Sequence, residues 1–145
     1  MTNGELIVAD SYARATISLG VEYAFAGGLL GQASAGGGNT ACLKFCYAAG
    51  GIVDLPASGY SSLGACVGIC EGTDVTNVHW LQGRGASAAV GGGIGQEGFV
   101  GHAAEGEITA ELLNGDRVEG DAPWQEGADG LPVLAWENEA AQACA

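Results

Sequence analysis

Glycine interrupts this chain more often than a regular helix can tolerate. The sequence contains 27 glycines in 145 residues, and each glycine inside a helix costs about 1 kcal/mol relative to alanine. Short strands joined by tight turns are therefore expected, which favours an all-β fold: a small Gly-rich barrel or sandwich. The stretches AGGLLGQASAGGGN and VGGGIGQEG are expected to be mobile loops, because glycine leaves the backbone little constrained.

The apolar patterning locates the strands. The segments ELIVAD, RATISL, ACVGIC and LPVLAWE read as strands, and TACLKFCYA and IVDL read as a hairpin around Ala49–Gly51. In DVTNVHWLQ the strand period predicts Val78 and Trp80 on one face, with Asn77 and His79 on the other.

The C-terminal part continues the same pattern. GEITAELL is predicted as a strand that ends in a hairpin turn at Asn114-Gly115. Residues 138–145 are expected to form a short helical tail or a frayed end. No linker divides the chain, and 145 residues are enough for one compact domain.

The charge balance excludes several partners. Four Lys plus Arg oppose 17 Asp plus Glu, which leaves a net charge of −13. This charge repels nucleic acid and anionic membrane surfaces, so we expect neither to bind. Residues 1–70 contain four acids and two bases, whereas 71–145 contain thirteen acids and two bases. The near-neutral half suits a partner contact and the acidic half suits water, although uneven loop composition explains the same asymmetry.

The N-terminal sequence MTNGELIVAD lacks a basic region followed by an apolar one, so no secretory signal is predicted and synthesis in the cytoplasm is expected. The long uncharged run at 23–43 contains several glycines and polar residues, and it reads as strand and loop rather than as a membrane helix.

Four of the five cysteines form two Cys-x-x-x-Cys pairs, Cys42 with Cys46 and Cys66 with Cys70. Their spacing suits a four-thiolate zinc site. In a strand, however, residues four apart are separated by about 13 Å, whereas zinc ligands lie within roughly 4 Å of each other. We therefore predict structural buried thiols and no metal or other cofactor, while cross-strand disulfides and a thiol-ligated metal remain alternatives. The odd number leaves at least one thiol free in a monomer.

The other motifs carry little chemistry. The G-x-G-x-x-G match GIGQEG is uninformative in a chain this rich in glycine. His79 and His102 have no nucleophile elbow near them, and the acids around residues 105–107 and 116–121 read as a solvated face. Trp80, Trp124 and Trp136 suit either core packing or a sugar-stacking platform, and Trp124 is expected to be the exposed one. No catalytic residues are predicted.

Three consecutive segments carry a family resemblance: CLKFCYAAGGIVDLPASG, then GACVGICEGTDVTNVHWLQGRGASAAVGGGIGQEGFV, then EGEITAELLNGDRVEGDAPWQEGADGLPVLAWE. This order of strands, acidic turns and Gly-rich turns, from about residue 41 to 122, resembles the small head-decoration, or capsid-cement, proteins of tailed double-stranded DNA viruses. The extra cysteines depart from that family.

The resemblance implies a β-barrel or β-tulip domain, often trimeric, with an extended N-terminal arm on the capsid and no catalysis. The implied partner is the major capsid protein, and the implied location is the outer surface of the virion. Residues 1–30 are then the arm and first strands, 31–137 the barrel, and 138–145 the tail. Capsid or subunit contacts are predicted at six residues: Leu6, Ile7, Val8, Tyr12, Tyr23 and Phe25. A surface module that binds glycans, or acts as an adhesin, is the main alternative, and a thiol-ligated metalloprotein is the second.

Overall fold

The computed structural model describes residues 4–20, 24–54, 62–93 and 97–143. The first strands are β1 (Glu5–Ala9), β2 (Tyr12–Ala13), β3 (Ile17–Ser18), β4 (Phe25–Gly27) and β5 (Leu30–Ser34). The next are β6 (Thr40–Ala48), β7 (Ile52–Val53), β8 (Ser62–Gly64) and β9 (Val67–Glu71). They are followed by β10 (Thr73–Leu81), β11 (Val90–Gly93) and β12 (Phe99–His102). A 3₁₀ turn (Glu105–Glu107), α1 (Ala110–Asn114), β13 (Trp124–Glu126), β14 (Pro132–Leu134) and α2 (Ala135–Ala143) complete the order.

Each of the strands β1 to β12 pairs in parallel with a strand that lies some tens of residues away in the chain. Glu5 of β1 lies opposite Thr40 of β6, 35 residues later, and Leu30 of β5 lies opposite Val67 of β9, 37 residues later. The largest sheet follows the order β1-β6-β10-β12, and a second follows β5-β9-β11. The other parallel pairs are two smaller, two-stranded sheets, β3-β7 and β4-β8.

Successive coils that pair in this way form a parallel β-helix. We call β1–β5 the first rung, β6–β9 the second, β10 and β11 the third, and β12 the fourth. The chain is β-rich, as expected. Within the described residues the strand paths are open, so the predicted closed barrel is not confirmed.

Three local predictions are wrong. The segment LPVLAWE is a strand only at Pro132–Leu134, and its last three residues begin helix α2. The strands β6 and β7 do not form a hairpin, because each pairs in parallel with a strand of another rung. The segment that ends at Asn114-Gly115 is helix α1 rather than a strand. Thr109 caps this helix by accepting a hydrogen bond from the Leu112 amide, and the Ala-Glu-Leu-Leu run favours a helix over a strand.

Every rung bends at the same register. Asp10, Phe45 and Asn77 have positive φ values of 47°, 55° and 53°, and they occupy aligned positions between paired residues of β1–β2, β6 and β10. Gly98, with φ 84°, accepts a hydrogen bond from the Val78 amide at its carbonyl and aligns with Asn77, so it occupies the same position in the fourth rung. Left-handed backbone is costly for Phe in particular. We call these four residues the corner column.

On the side of the β-helix formed by β4, β5, β8, β9 and β11, glycine places no side chains between the sheets, so the sheets lie close together. We call this the thin side. Gly31, Gly68 and Gly91 lie at aligned positions of β5, β9 and β11. A Cβ atom on Gly68 would lie 2.4 Å from the Gly31 carbonyl oxygen and 2.7 Å from the Ala26 amide nitrogen. The backbones of β4 and β8 therefore rest directly on those of β5, β9 and β11. Parts of the two Gly-rich stretches predicted as loops are strands, at Leu30–Ser34 and Val90–Gly93, whereas residues 35–39 form a turn as expected.

Three apolar clusters stabilise the fold. The first lies inside the rungs and includes Leu43, Val67 and Val78. The second lies outside β6 and β10 and includes Tyr47 and Leu81. These two residues pack against Ile108, Leu113 and Trp124 of residues 105–143, which we call the C-terminal segment. The third, smaller cluster is formed by Leu19, Ala26 and Ile52.

The N-terminal strand belongs to the main sheet, since β1 pairs with β6 along its length. The boundary predicted between residues 30 and 31 falls inside β5, and the boundary between 137 and 138 falls inside α2. Among the described residues, the helices are too short or too polar to cross a bilayer.

Candidate functional site

The predicted contact residues divide into two groups. Leu6, Ile7 and Phe25 are exposed, at 45%, 51% and 53% of their full surface. Val8 is partly buried and packs against the inner cluster. Tyr12 is partly buried and contacts the C-terminal segment, as described below. The sixth residue, Tyr23, lies outside the described residues.

The exposure of Leu6 reveals an uncovered end of the core. Leu6 pairs in register with Ala41, which is 3% exposed, and Val8 pairs with the fully buried Leu43. Because side chains alternate along a strand, Leu6 and Val8 belong to the inward-facing rows, while Ile7 faces outward. Leu6 is thus exposed because the part of the chain that the structure describes adds no rung beyond β1. We call β1 with its exposed Leu6 and Ile7 the uncapped end.

Tyr12 belongs to an aromatic cluster instead. Its ring stacks on Tyr47, with centroids 5.1 Å apart and an interplanar angle of 4°. Its hydroxyl donates to the carboxylate of Glu137. Trp124 packs against both tyrosines at tilted angles. Tyr12 therefore joins the first rung to the C-terminal segment, and this contact, rather than a capsid contact, accounts for its burial.

Two ion pairs also join the first rung to the C-terminal segment. Asp10 Oδ1 accepts from Arg117 Nη1 at 2.7 Å and from Trp124 Nε1 at 3.1 Å. Arg14 donates to the Tyr47 hydroxyl at 2.8 Å and to the Asp129 carboxylate at 2.7 Å. Burial raises the pKa of Tyr47 to about 12, so this hydroxyl stays protonated. Residues 10–14 thus hold the C-terminal segment, and deletion of residues 1–12 would remove part of the network that stabilises the fold.

The cysteines occupy inward and partly exposed positions. Cys46, Cys66 and Cys70 are buried and free, whereas Cys42 is only partly buried, contrary to the expectation for that residue. Burial raises the pKa of Cys46 to about 11 and raises the pKa values of Cys66 and Cys70. These three thiols are therefore protonated at neutral pH and are poor nucleophiles and poor metal ligands as they stand. Cys144 lies outside the described residues.

A hydrogen-bonded chain of side chains links the fourth rung to α1. His79 is 4% exposed, and its Nδ1 lies 2.8 Å from His102 Nε2. Its Nε2 lies 2.5 Å from Asn77 Oδ1, while Asn77 Nδ2 donates to the Leu112 carbonyl at 2.7 Å. Because the Asn77 oxygen can only accept, His79 Nε2 carries a proton, and its Nδ1 accepts from His102. Burial, followed by the nearby His102, lowers the pKa of His79 to about 4, which favours this neutral form.

A shallow cleft of about 470 Å³ lies beside the corner column. Two of its polar residues are already engaged: Arg117 stacks over the Phe45 ring at 4.0 Å and binds Asp10, and Asn77 binds His79 and α1. The side-chain groups that the cleft leaves for a ligand are the Thr76 hydroxyl and the Asp116 carboxylate. The residues that line the cleft are Phe45, Thr76, Asn77, Leu112, Gly115, Asp116 and Arg117.

The other candidate ligand residues are dispersed. Trp124 is buried at 3% exposure, so the prediction that it is the exposed tryptophan is wrong. Trp80 is 8% exposed and Trp136 is 62% exposed, which leaves one tryptophan at the surface. The described residues contain no group of three or more His, Cys, Asp or Glu side chains arranged to hold a metal ion. Glu107, from one predicted acidic pair, accepts hydrogen bonds from the Ala103 and Ala104 amides.

Sequence reasoning missed the His79–His102 contact and the corner column. A signal exists for the column: ADSYA, KFCYA and TNVHW align once the strands are stacked. The aligned segments are separated by different numbers of residues, so a search for one fixed repeat length does not find them.

No protein family, curated protein or solved structure matches this chain. Its function must therefore be argued from its own residues.

Proposed function

We propose that this protein is a structural, non-catalytic component of a viral capsid that decorates the shell by binding the major capsid protein lattice. The observation that carries the proposal is the uncapped end of the β-helix. There, two adjacent apolar residues of β1 are both exposed: Leu6, whose side chain faces inward, and Ile7, whose side chain faces outward. Exposed apolar residues at a sheet edge favour a binding surface.

The distribution of charge supports the same role. In the described part of the first rung, Asp10 and Arg14 are each paired with an oppositely charged residue of the C-terminal segment. Glu5 has no ion-pair partner there. The acids of residues 71–145, by contrast, are mostly exposed. One end of the molecule is thus suited to contact and the remainder to water, as decoration of a shell requires.

The chemistry of the interior supports a structural role. The buried thiols have raised pKa values, the His79 ring is neutral and fully hydrogen-bonded, and Arg117 is engaged on each side. A catalytic site would need a poised base or nucleophile next to a free binding volume. The proposal also does not depend on a closed barrel, because an open stack of rungs offers an equally rigid block.

Co-sedimentation with empty heads of the virus that encodes the chain tests the proposal. We expect the protein to bind intact heads in stoichiometric amounts, and we expect electron microscopy to show added density on the outer surface. Substitutions at the uncapped end test the contact surface without removing residues 10–12, which help to hold the C-terminal segment. Heads that carry no added density at saturating protein would show that the proposal is wrong.

A further inference from the structure

We infer that the uncapped end binds the same end of a second copy of this chain, with the two β1 strands antiparallel across a two-fold axis. This inference rests on the proposed function, because it divides the contacts assigned there: β1 meets a second copy, and the dimer meets the shell protein through exposed residues outside β1 such as Phe25. Decoration of the shell would then be carried out by the dimer.

The free edge of β1 provides the hydrogen-bonding groups. In the described residues β1 has one neighbouring strand, β6, so its other edge is open. Natural edge strands are protected by lysine, proline or a bulge. The β1 sequence ELIVA contains neither lysine nor proline. Its register with β6 is continuous from Glu5 to Ala9, so it has no bulge. The edge therefore offers another strand the backbone groups of Glu5, Ile7 and Ala9, although the Ala9 carbonyl also accepts a hydrogen bond from the Ser11 hydroxyl.

Charge selects which end can meet a second copy. Each chain carries a net charge of −13, so two copies repel unless they meet where charge is lowest. The described first rung has one acid without an ion-pair partner, Glu5. The fourth rung, by contrast, is flanked by two exposed acids without an ion-pair partner among the described residues, Glu97 and Glu107, and by Glu105, which pairs with Arg84. The first rungs therefore meet each other at a lower electrostatic cost than any pairing that includes the fourth rung.

The antiparallel arrangement also satisfies the side chains. If the axis passes at Ile7, Leu6 lies opposite the partner's Val8, and Glu5 lies opposite the partner's Ala9. The inward-row side chains of the two copies then cover one another, and the two Glu5 carboxylates lie at opposite ends of the paired strands. An isologous contact of this kind closes at two copies and does not extend into a filament.

Sedimentation velocity of the full chain and two matched lysine variants tests the inference. We expect the wild-type protein to be a dimer, and Ile7→Lys to weaken the association by at least about tenfold by adding an unpaired charge at the axis. Val118→Lys is the control, because Val118 is 68% exposed and lies in the C-terminal segment. This variant should remain dimeric, and circular dichroism should show that both variants keep the wild-type fold.

Crosslinking provides a second measurement. Cross-strand neighbours have Cβ atoms about 4.5–5.5 Å apart, which is close to the spacing that a disulfide needs. Ile7→Cys should therefore form a covalent dimer under mild oxidation, whereas Val118→Cys and the wild-type chain should not. A monomeric wild type, filaments, or a dimer unaffected by Ile7→Lys would overturn the inference. A monomer that still binds heads, and loses that binding in Ile7→Lys, would assign this end to the shell protein and leave the proposed function standing.

Discussion

The two sides of this β-helix are packed by opposite means. On the thin side, Gly68 allows β9 to approach the backbones of β4 and β5, and a single methyl group would not fit between them. On the other side, Tyr12, Tyr47 and Trp124 fill the space between the sheet and the C-terminal segment. The thin side depends on the absence of side chains, whereas the aromatic side depends on a few large ones that also hydrogen-bond.

The two kinds of packing should respond differently to substitution. A glycine contact fails when atoms are added, because the neighbouring atoms are backbone and cannot rotate away. An aromatic cluster fails when atoms are removed, because a cavity and unpaired polar groups remain. The following substitutions separate the two cases, beginning with the largest expected effect.

Trp124→Ala should break the aromatic side. Trp124 is 3% exposed, packs on both tyrosines and donates to Asp10, so its truncation should cost about 3–5 kcal/mol of unfolding free energy. Urea denaturation followed by circular dichroism measures the loss. Trp136→Ala is the matched control: Trp136 is 62% exposed, and its removal should change stability by less than about 0.5 kcal/mol. Equal losses for the two variants would contradict the packing described for the aromatic side.

Gly68→Ala should break the thin side by adding a single methyl group. The new Cβ would lie 2.7 Å from the Ala26 nitrogen of β4, in the facing sheet, and 2.4 Å from the Gly31 oxygen of the paired strand β5, so the sheets must separate, at a cost of about 1–3 kcal/mol. Gly20→Ala adds the same group where no atom lies within 4 Å, and it should leave stability unchanged or raise it slightly. Thermal melts of both variants give the comparison, and a wild-type melting temperature for Gly68→Ala would refute the close approach of the sheets.

Asp10→Asn tests the ion pair between Asp10 and Arg117, which joins the first rung to the C-terminal segment. Asparagine tolerates the positive φ at this position, so the substitution removes the charge and leaves the corner in place. Loss of the charge-assisted bond from Arg117 should cost about 1–2 kcal/mol. The loss should shrink when the wild type and variant are compared in high salt, which screens the pair. A loss that is independent of salt would assign the effect to the backbone corner instead.

Acid should weaken the link between the fourth rung and α1. The pKa of His79 is lowered to about 4 in the folded protein from its ordinary value of 6.5, so the unfolded chain binds a proton more readily. Stability contributed by neutral His79 is therefore complete well above pH 6.5 and is lost as the pH falls towards 4, at up to about 1.4 kcal/mol per pH unit. The His79→Gln variant lacks this titration. Parallel stability profiles of variant and wild type across this range would count against the assignment.

Much of the strand content could be predicted from the sequence, but the pairing could not. The β6 segment TACLKFCYA has the apolar, β-favouring composition of a strand, and Val78 and Trp80 lie in the inner cluster as the alternation predicts. The Gly50-Gly51 turn suggested a hairpin because local turn chemistry says nothing about strands 35 residues away. Parallel pairing depends on those distant partners, which pattern reasoning over short windows does not reach.

The Gly-rich stretches show the same limit. Glycine was expected to mark mobile loops, yet Leu30–Ser34 and Val90–Gly93 are strands. The signal is the alignment of Leu30-Gly31, Val67-Gly68 and Val90-Gly91, in which an apolar residue precedes the glycine each time. Of the candidate contact surface, exposed Leu6 and Ile7 followed from their apolar character near the N terminus. The role of Tyr12 did not, because two of its partners, Trp124 and Glu137, are more than 100 residues away.

The corner column has a consequence for how such a chain can change its length. Successive corners, Asp10, Phe45, Asn77 and Gly98, are separated by 35, 32 and 21 residues, yet their rungs stay in register. The column holds one position of each rung in register, so the difference in length is taken up in the turns between paired strands. A foreign peptide inserted in the exposed turn at residues 36–38 should therefore be carried without loss of register. A one-residue deletion between Ala9 and Tyr12 would instead invert the strand faces beyond it.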